Sequence, residues 1–187
     1  MTLMTFDNMP LPAISLVLGG ARSGKSTTAE AWVEAEAKRN GGQATYIATG
    51  QAWDDEMKER VALHQERRGT IWQTIEEPLL VADLLPALPT GQPILFDCLT
   101  LWITNHLLAE HDLNAEIDTL VAALQQAPAP VVCVSNEVGL GVVPDNALSR
   151  KFRDAQGRLN QKVAAIANRV IFVAAGLPMV LKSEERS

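Results

Sequence analysis

Gly19-Gly20-Ala21-Arg22-Ser23-Gly24-Lys25-Ser26 follows the apolar run Ile14 to Leu18 and leads into an alanine-rich stretch of helix formers. The spacing, a glycine, four residues and then Gly-Lys-Ser, is that of a phosphate-binding loop. Glycines let backbone N–H groups turn inward to cradle phosphate oxygens, and the helix opening at Gly24 adds the positive end of its dipole. Lys25 would reach the β- and γ-phosphates of a nucleoside triphosphate, and the Ser26 hydroxyl would complete the coordination of Mg²⁺. The plain alternative is a strand-to-helix turn that happens to be rich in glycine. Every motif position is filled, with a strand before and a helix after, which favours the phosphate loop.

The rest of the chain reads as the α/β domain such a loop requires. Thr27 to Arg39 is a helix ended by Gly41-Gly42, and Ala44 to Ala48 is a second strand whose end, Ala48-Thr49-Gly50, should emerge on the same sheet edge as the loop. Asp54 to Arg68 is a charged helix with acids first and bases last, followed by Gly69. Ile71 to Ile75 is a short strand broken by Glu76-Glu77-Pro78, and Leu79 to Leu88 is a helix. The buried strand Pro93 to Phe96 ends in Asp97. Leu99 to His111 and Asn114 to Gln126 are helical, either as two helices or as one interrupted near Asp112. Val131 to Ser135 is an apolar strand and Asn136 to Pro144 a glycine-containing loop. In the long helix after it, Leu148, Phe152, Ala155, Leu159, Val163 and Ile166 form one buried stripe. Val170 to Ala174 and Met179 to Leu181 close the sheet as strands joined by a hairpin turn at Gly176-Leu177-Pro178. Alternating strands and helices imply a mostly parallel sheet with an antiparallel edge strand at the C-terminal end. Residues 1–13 are expected to be a flexible extension and 14–187 a single domain.

Composition narrows the function. The 187 residues are 47% hydrophobic and carry a net charge of −6. No long basic run appears, which disfavours a nucleic-acid partner. Cys98 and Cys133 each sit in an apolar run, as buried reduced thiols of a cytoplasmic protein do. Met1 to Ala13 lacks the features of a secretory signal, and no apolar stretch approaches the ~18 residues a membrane span needs.

Several residues are placed to do chemistry. Asp97, at a strand end, should reach the phosphate edge, where Mg²⁺ on Ser26 needs an acidic partner. A plain strand-end aspartate fits the same pattern. His64 lies among Met57, Arg60, Val61, Arg67 and Arg68 at helical spacing. Arginines there could bind phosphates and keep the imidazole neutral and nucleophilic. From spacing alone, a solvated charged helix with an incidental histidine is the plainer account. His106 and His111 have no comparable setting. Glu76 and Glu77 could accept N–H bonds from a guanine edge or bind a ribose hydroxyl, or be surface charges. Asn136 and Glu137 leave a strand end and are candidate substrate contacts. Arg150, Arg153 and Arg158 could meet an anionic substrate or a neighbouring subunit, though a solvated face explains them as well.

Taken together and in order, these segments resemble the bifunctional adenosylcobinamide kinase / adenosylcobinamide-phosphate guanylyltransferase family of cobalamin biosynthesis. The likeness runs through the phosphate loop, Tyr46-Ile47-Ala48-Thr49, Asp54-Asp55-Glu56-Met57 with Arg60 and His64, and Trp72-Gln73-Thr74 with Glu76. It continues through Asp97-Cys98-Leu99-Thr100, Ser135-Asn136-Glu137-Val138-Gly139, Phe152-Arg153-Asp154 with Gly157, Asn160-Gln161, and Ala175-Gly176-Leu177-Pro178 to Lys182. The resemblance implies a P-loop NTPase fold with a RecA-like sheet, a homotrimer, and two reactions. These are phosphorylation of adenosylcobinamide by ATP or GTP, then transfer of GMP from GTP to that phosphate with release of pyrophosphate. It also implies that His64 is the guanylylated histidine. The nucleotide contacts it implies are the phosphate loop, Ala48, Thr49, Gly50, Gln65, Glu66, Arg67, Arg68, Glu76 and Asp97, with Mg²⁺ on Ser26 and Asp97. Some relatives have two adjacent histidines where this chain has Leu63-His64. Two competing readings are a P-loop kinase of another small metabolite without histidine chemistry, and a nucleotide switch or strand-binding ATPase. The acidic balance argues against the last.

Overall fold

The computed structural model describes residues 10–50 and 69–183. The expected helix Asp54 to Arg68, and with it His64 and Gln65 to Arg68, lies outside the described residues.

The apolar run before the phosphate loop forms β1 (Ile14–Gly19), all six residues of which are buried. The helix formers beyond the loop make α1 (Lys25–Arg39). There follow β2 (Ala44–Ala48), β3 (Trp72–Glu76), a short α2 (Val81–Leu84) and β4 (Ile94–Asp97). The second half contains α3 (Leu99–Leu108), α4 (Leu113–Gln125), β5 (Val131–Asn136), α5 (Ala147–Ile166), β6 (Arg169–Ala174) and β7 (Leu177–Ser183). One seven-stranded sheet runs in the order β3-β2-β4-β5-β1-β6-β7. All neighbouring strands are parallel except β6 and β7, which pair antiparallel at one edge.

Strands covered on both faces read as continuous apolar runs, because each face needs its own layer of side chains. On one face α1 packs Ala29, Trp32 and Val33 against Val17, Leu95, Val132 and Ile171. On the other, α3, α4 and α5 bury Leu16, Ile47, Phe96 and Cys133 beneath Trp102, Leu120 and Leu159. Both layers leave the C-terminal ends of the parallel strands open on one edge, where ligands of such sheets bind.

Local chemistry moves several expected boundaries. The segment expected as one helix over Leu79 to Leu88 is α2 followed by a 3₁₀ turn at Leu85–Ala87. Pro86 has no amide hydrogen with which to continue an α ladder. The helical stretch around Asp112 is two helices. Glu110 takes a left-handed φ of 58° after α3, and the Asp112 carboxylate accepts the N–H groups of Asn114 and Ala115 to start α4. The hairpin turn lies at Ala175 and Gly176, with φ of 50° and 78°, rather than at Gly176 to Pro178. Two positive φ values match the right-handed twist of paired strands. Pro178 therefore belongs to β7, an edge strand, where proline is tolerated.

Two further corrections concern burial. Leu148, expected on the buried stripe of α5, is 55% exposed, whereas Gln156 and Asn160 are buried beside Ala155, Leu159 and Val163. The end of the N-terminal extension is not loose. Leu11 is buried with the α1 layer, and its N–H donates to Glu36 Oε2 at 2.9 Å. The same carboxylate accepts from Arg39 at 2.6 Å and from Asn40 at 2.9 Å. Burial raises the Glu36 pKa, but these bonds outweigh it and leave the group below its ordinary value.

Candidate active site

The phosphate loop is built by close backbone approach. A Cβ on Gly19 would stand 2.5 Å from Ser23 Oγ and 2.6 Å from the carbonyl oxygen of Val173 on β6. Gly24, with φ 95°, turns the chain into α1. Its carbonyl takes the N–H of Thr28, which leaves the amides of the first helical turn facing the loop. Gly176 donates its N–H to the Ser23 carbonyl at 2.8 Å, so the β6–β7 hairpin supports the loop from behind. Lys25 Nζ lies 3.1 Å from the Gly20 carbonyl, which places an ammonium over the concave side together with the dipole of a fifteen-residue helix.

Asp97 stands at the end of β4, separated from β1 by β5 alone. Its Oδ2 accepts the Tyr46 hydroxyl at 2.7 Å, an orientation that leaves Oδ1 for another partner. The hydroxyl of Ser26 and the carboxylate of Asp97 are hard oxygen donors of the kind Mg²⁺ takes. The turn after β2 is fastened to the same place. Thr49 Oγ1 accepts the Cys98 N–H and donates to the Cys98 carbonyl, each at 2.8 Å, and the Thr49 N–H donates to the Asp97 carbonyl at 3.2 Å. Thr49 is fully buried, so its side chain positions Ala48, Gly50 and Asp97 and is not itself open to a ligand. Burial, with the adjacent Asp97 charge, pushes the Cys98 thiol up to about 12; burial does the same to Cys133. Both are free thiols that stay protonated near neutral pH.

Glu76 and Glu77, indistinguishable in sequence, part ways here. The Glu77 carboxylate accepts the N–H groups of Leu79 and Leu80 at 2.9 and 2.7 Å and fixes the start of the next segment. Glu76 ends β3 beside Ala48 and is exposed at the ligand edge. Ala48, Gly50, Glu76, Asp97 and the phosphate loop are thus brought to one edge.

The loop after β5 joins them, because the Glu137 N–H donates to the Gly19 carbonyl at 3.2 Å. The Glu137 carboxylate accepts from the Gly139 N–H at 2.6 Å. Beneath that loop runs a buried polar network. Ser135 donates to Asn160 Oδ1 at 2.7 Å, Gln156 donates to both, and Asn160 donates to the Asn136 carbonyl at 3.1 Å. Two amides four residues apart on an apolar helix face were the sequence signal for it. Arg150 donates to the carbonyls of Pro144 and Asp145 and so anchors the end of the loop rather than facing a substrate. Beside the network lies a cleft of about 610 Å³, lined in part by Leu18, Glu137, Leu140, Asn160, Gln161 and Lys182.

A glycine-built phosphate loop, an acid one strand away and a crevice across the strand ends define a P-loop nucleotide-binding protein with RecA-like strand order. Its backbone is similar to that of the flagellar accessory protein FlaH from Methanocaldococcus jannaschii, with a TM-score of 0.53 at 13% identity, covering 94% of this chain and 80% of that one. That likeness concerns the fold alone. The chain belongs to the cobinamide kinase / cobinamide phosphate guanyltransferase family, whose sequence model matches residues 15–181, and it is a transferase of adenosylcobalamin biosynthesis with both of those activities. It is 48% identical over 172 residues to the bifunctional adenosylcobalamin biosynthesis protein CobP of Pseudomonas aeruginosa, covering 90% of this chain and 97% of that protein. To the bifunctional adenosylcobalamin biosynthesis protein CobU of Escherichia coli K12 it is 41% identical over 187 residues, covering 89% and 98%.

Proposed function

We propose that one phosphate loop serves both reactions, and that the guanylyl transfer runs through His64. The observation that carries this reading is the convergence of Lys25, the α1 amides, Asp97 and Glu76 on a single edge. In the kinase step the corrinoid hydroxyl oxygen attacks the γ-phosphorus of ATP or GTP, and the bond to the β-phosphate oxygen breaks. In the transferase step a neutral His64 nitrogen attacks the α-phosphorus of GTP and pyrophosphate leaves. The cobinamide phosphate oxygen then attacks the same phosphorus, the N–P bond breaks, and adenosylcobinamide-GDP forms. Splitting the transfer avoids a direct meeting of two polyanions.

Lys25 and the loop amides hold the departing phosphates and stabilise their growing charge. Ser26 and Asp97 would hold Mg²⁺, which when bound neutralises phosphate oxygens. Ala48, Thr49, Gly50, Glu76 and Asp97, with Gln65, Glu66, Arg67 and Arg68, form the proposed nucleotide contacts. Thr49 acts there through its backbone ties. Adenosylcobinamide and its phosphate are the proposed acceptors.

The proposed assembly is a homotrimer. Its support is the apolar edge made by Leu177, Met179, Val180 and Leu181 on β7 together with Leu140 and Val142, each at least 42% exposed. The free thiols and the absence, among the described residues, of any helix able to cross a membrane fit action in the cytoplasm.

Protein incubated with Mg²⁺ and GTP labelled at the α- or the γ-phosphate tests the histidine step. An acid-labile, base-stable adduct of GMP mass, from the α-label only and absent in His64→Ala, is expected. If GTP-binding protein forms no adduct, the histidine mechanism is wrong and transfer is direct.

A further inference from the structure

Away from the nucleotide edge, three side chains meet at the corner where α3 ends and α4 begins. His106 Nδ1 lies 2.9 Å from His111 Nδ1. Glu116 places Oε2 3.7 Å from the first and Oε1 3.7 Å from the second. One ligand atom from each lies within 4.8 Å of the others. The turn makes this meeting possible. Glu110 is left-handed, the His111 N–H donates to the His106 carbonyl at 3.1 Å, and Asp112 starts α4, which brings Glu116 back over the pair.

The tautomer of the inner histidine is set by its other nitrogen. His106 is 2% exposed and its Nε2 lies 3.2 Å from the Leu79 carbonyl. A carbonyl only accepts, so Nε2 carries the proton and the Nδ1 lone pair faces His111 and Glu116. Trp102 packs against this ring with centroids 4.4 Å apart and donates its own Nε1–H to the same carbonyl at 3.0 Å. An imidazole oriented through its far nitrogen by a backbone carbonyl is the usual support of a metal-bound histidine.

We propose that His106, His111 and Glu116 form a site for a zinc-class divalent ion, separate from the Mg²⁺ position at the phosphate loop. Two imidazole nitrogens and one carboxylate oxygen suit Zn²⁺. Tetrahedral Zn–N bonds of about 2.0–2.1 Å separate two nitrogens by about 3.3 Å, so the rings need part by only a few tenths of an ångström. Without an ion, His111 donates from Nδ1–H to His106 Nδ1. Loading moves that proton to His111 Nε2 and frees the second lone pair; no covalent bond to carbon or phosphorus changes. His111 is 41% and Glu116 35% exposed, which opens an entry path and lets water fill the fourth position.

The ion would brace the nucleotide edge from outside. Leu79 receives His106 and Trp102, while Asn105 Nδ2 bridges the carbonyls of Thr49 and Pro78 at 2.9 and 3.0 Å. The segment just past Glu76 thus hangs on one face of α3.

The test uses full-length, EDTA-treated, nucleotide-free protein in excess Mg²⁺. Titration with Zn²⁺ followed by calorimetry, and with Co²⁺ followed by visible absorption, is expected to show one tight Zn²⁺ equivalent and tetrahedral Co²⁺ bands. Zn²⁺ should raise Tm. His111→Ala and Glu116→Gln, both at half-exposed positions, should fold and weaken Zn²⁺ by about tenfold or more. Glu116→Gln should leave the metal-free Tm near that of the wild type, whereas His111→Ala, which takes the donor away from buried His106 Nδ1, should lower it. His64→Ala should bind Zn²⁺ as the wild type does. No Zn²⁺ binding above Mg²⁺ competition, unchanged affinity in folded His111→Ala, or loss of binding in His64→Ala would each overturn the proposal.

Discussion

Replacing Thr49 with valine keeps the shape of a fully buried side chain and removes one hydroxyl. That hydroxyl accepts the Cys98 N–H and donates to the Cys98 carbonyl, each at 2.8 Å. The carbonyl keeps a second partner, the Trp102 N–H at 3.1 Å. The N–H has none to fall back on in a buried turn, and an orphaned buried donor costs about 1–3 kcal/mol. Adding a few tenths for the lost bond to the carbonyl, Thr49→Val should cost about 1.5–3.5 kcal/mol and lower Tm by about 3–14 °C for a chain of this size. Thr49→Ser keeps both bonds and loses only a methyl group, worth about 1 kcal/mol. Urea denaturation of the two variants beside wild type reads the difference. Because Asp97 and Cys98 are consecutive, Thr49→Val should also depress both transferase activities, while Thr49→Ser keeps most of each. A Thr49→Val protein within about 0.5 kcal/mol of wild type, or less damaged than Thr49→Ser, would refute the claim that this hydroxyl ties β2 to β4.

Two more predictions follow from contacts already described. Gly19→Ala puts a methyl group against the Val173 carbonyl, a backbone atom of β6, held between β1 and β7, that cannot turn away as Ser23 can. The loop must shift instead, and GTP affinity and both activities should fall by about tenfold to a hundredfold; wild-type GTP binding by calorimetry would contradict this. Glu36 titrates below its ordinary value of 4.5 in the folded chain, so its stabilisation is full above that pH and is lost as pH falls through the lower folded value. Glu36→Gln should therefore cost about 1–2 kcal/mol near neutrality. In thermal melts the gap from wild type should close as pH drops below 4.5; a gap constant with pH would mean that the carboxylate charge is not what holds Leu11 and Arg39.

Much of the ligand edge was legible because its signals are local. Gly19 to Ser26 is a contiguous motif, and Asp97 follows an apolar run whose length places it at a strand end. Thr49 was placed at that edge as part of Ala48-Thr49-Gly50, but the bonds it makes, like those of Asn105 and Trp102, were not legible, because their partners are backbone atoms on other segments and no periodicity announces them. Gln156 and Asn160 fall between these cases. Their four-residue spacing on an apolar face is visible in the chain, yet the stripe drawn through Leu148 and Phe152 passed over them. It also predicted burial for Leu148, which is 55% exposed in the first turn of α5, beside Thr104 and Leu108 of α3. The histidines show the limit most plainly. His106 and His111 are five residues apart, a spacing that puts two side chains on different faces of a continuous helix. Only the left-handed turn at Glu110 brings them together, and glutamate is not a residue from which such a turn is inferred. Polar clusters built across a helix break therefore escape any reading that asks which residues share a face. They are found by asking which break lets the chain fold back on itself, and here that break is the α3–α4 corner.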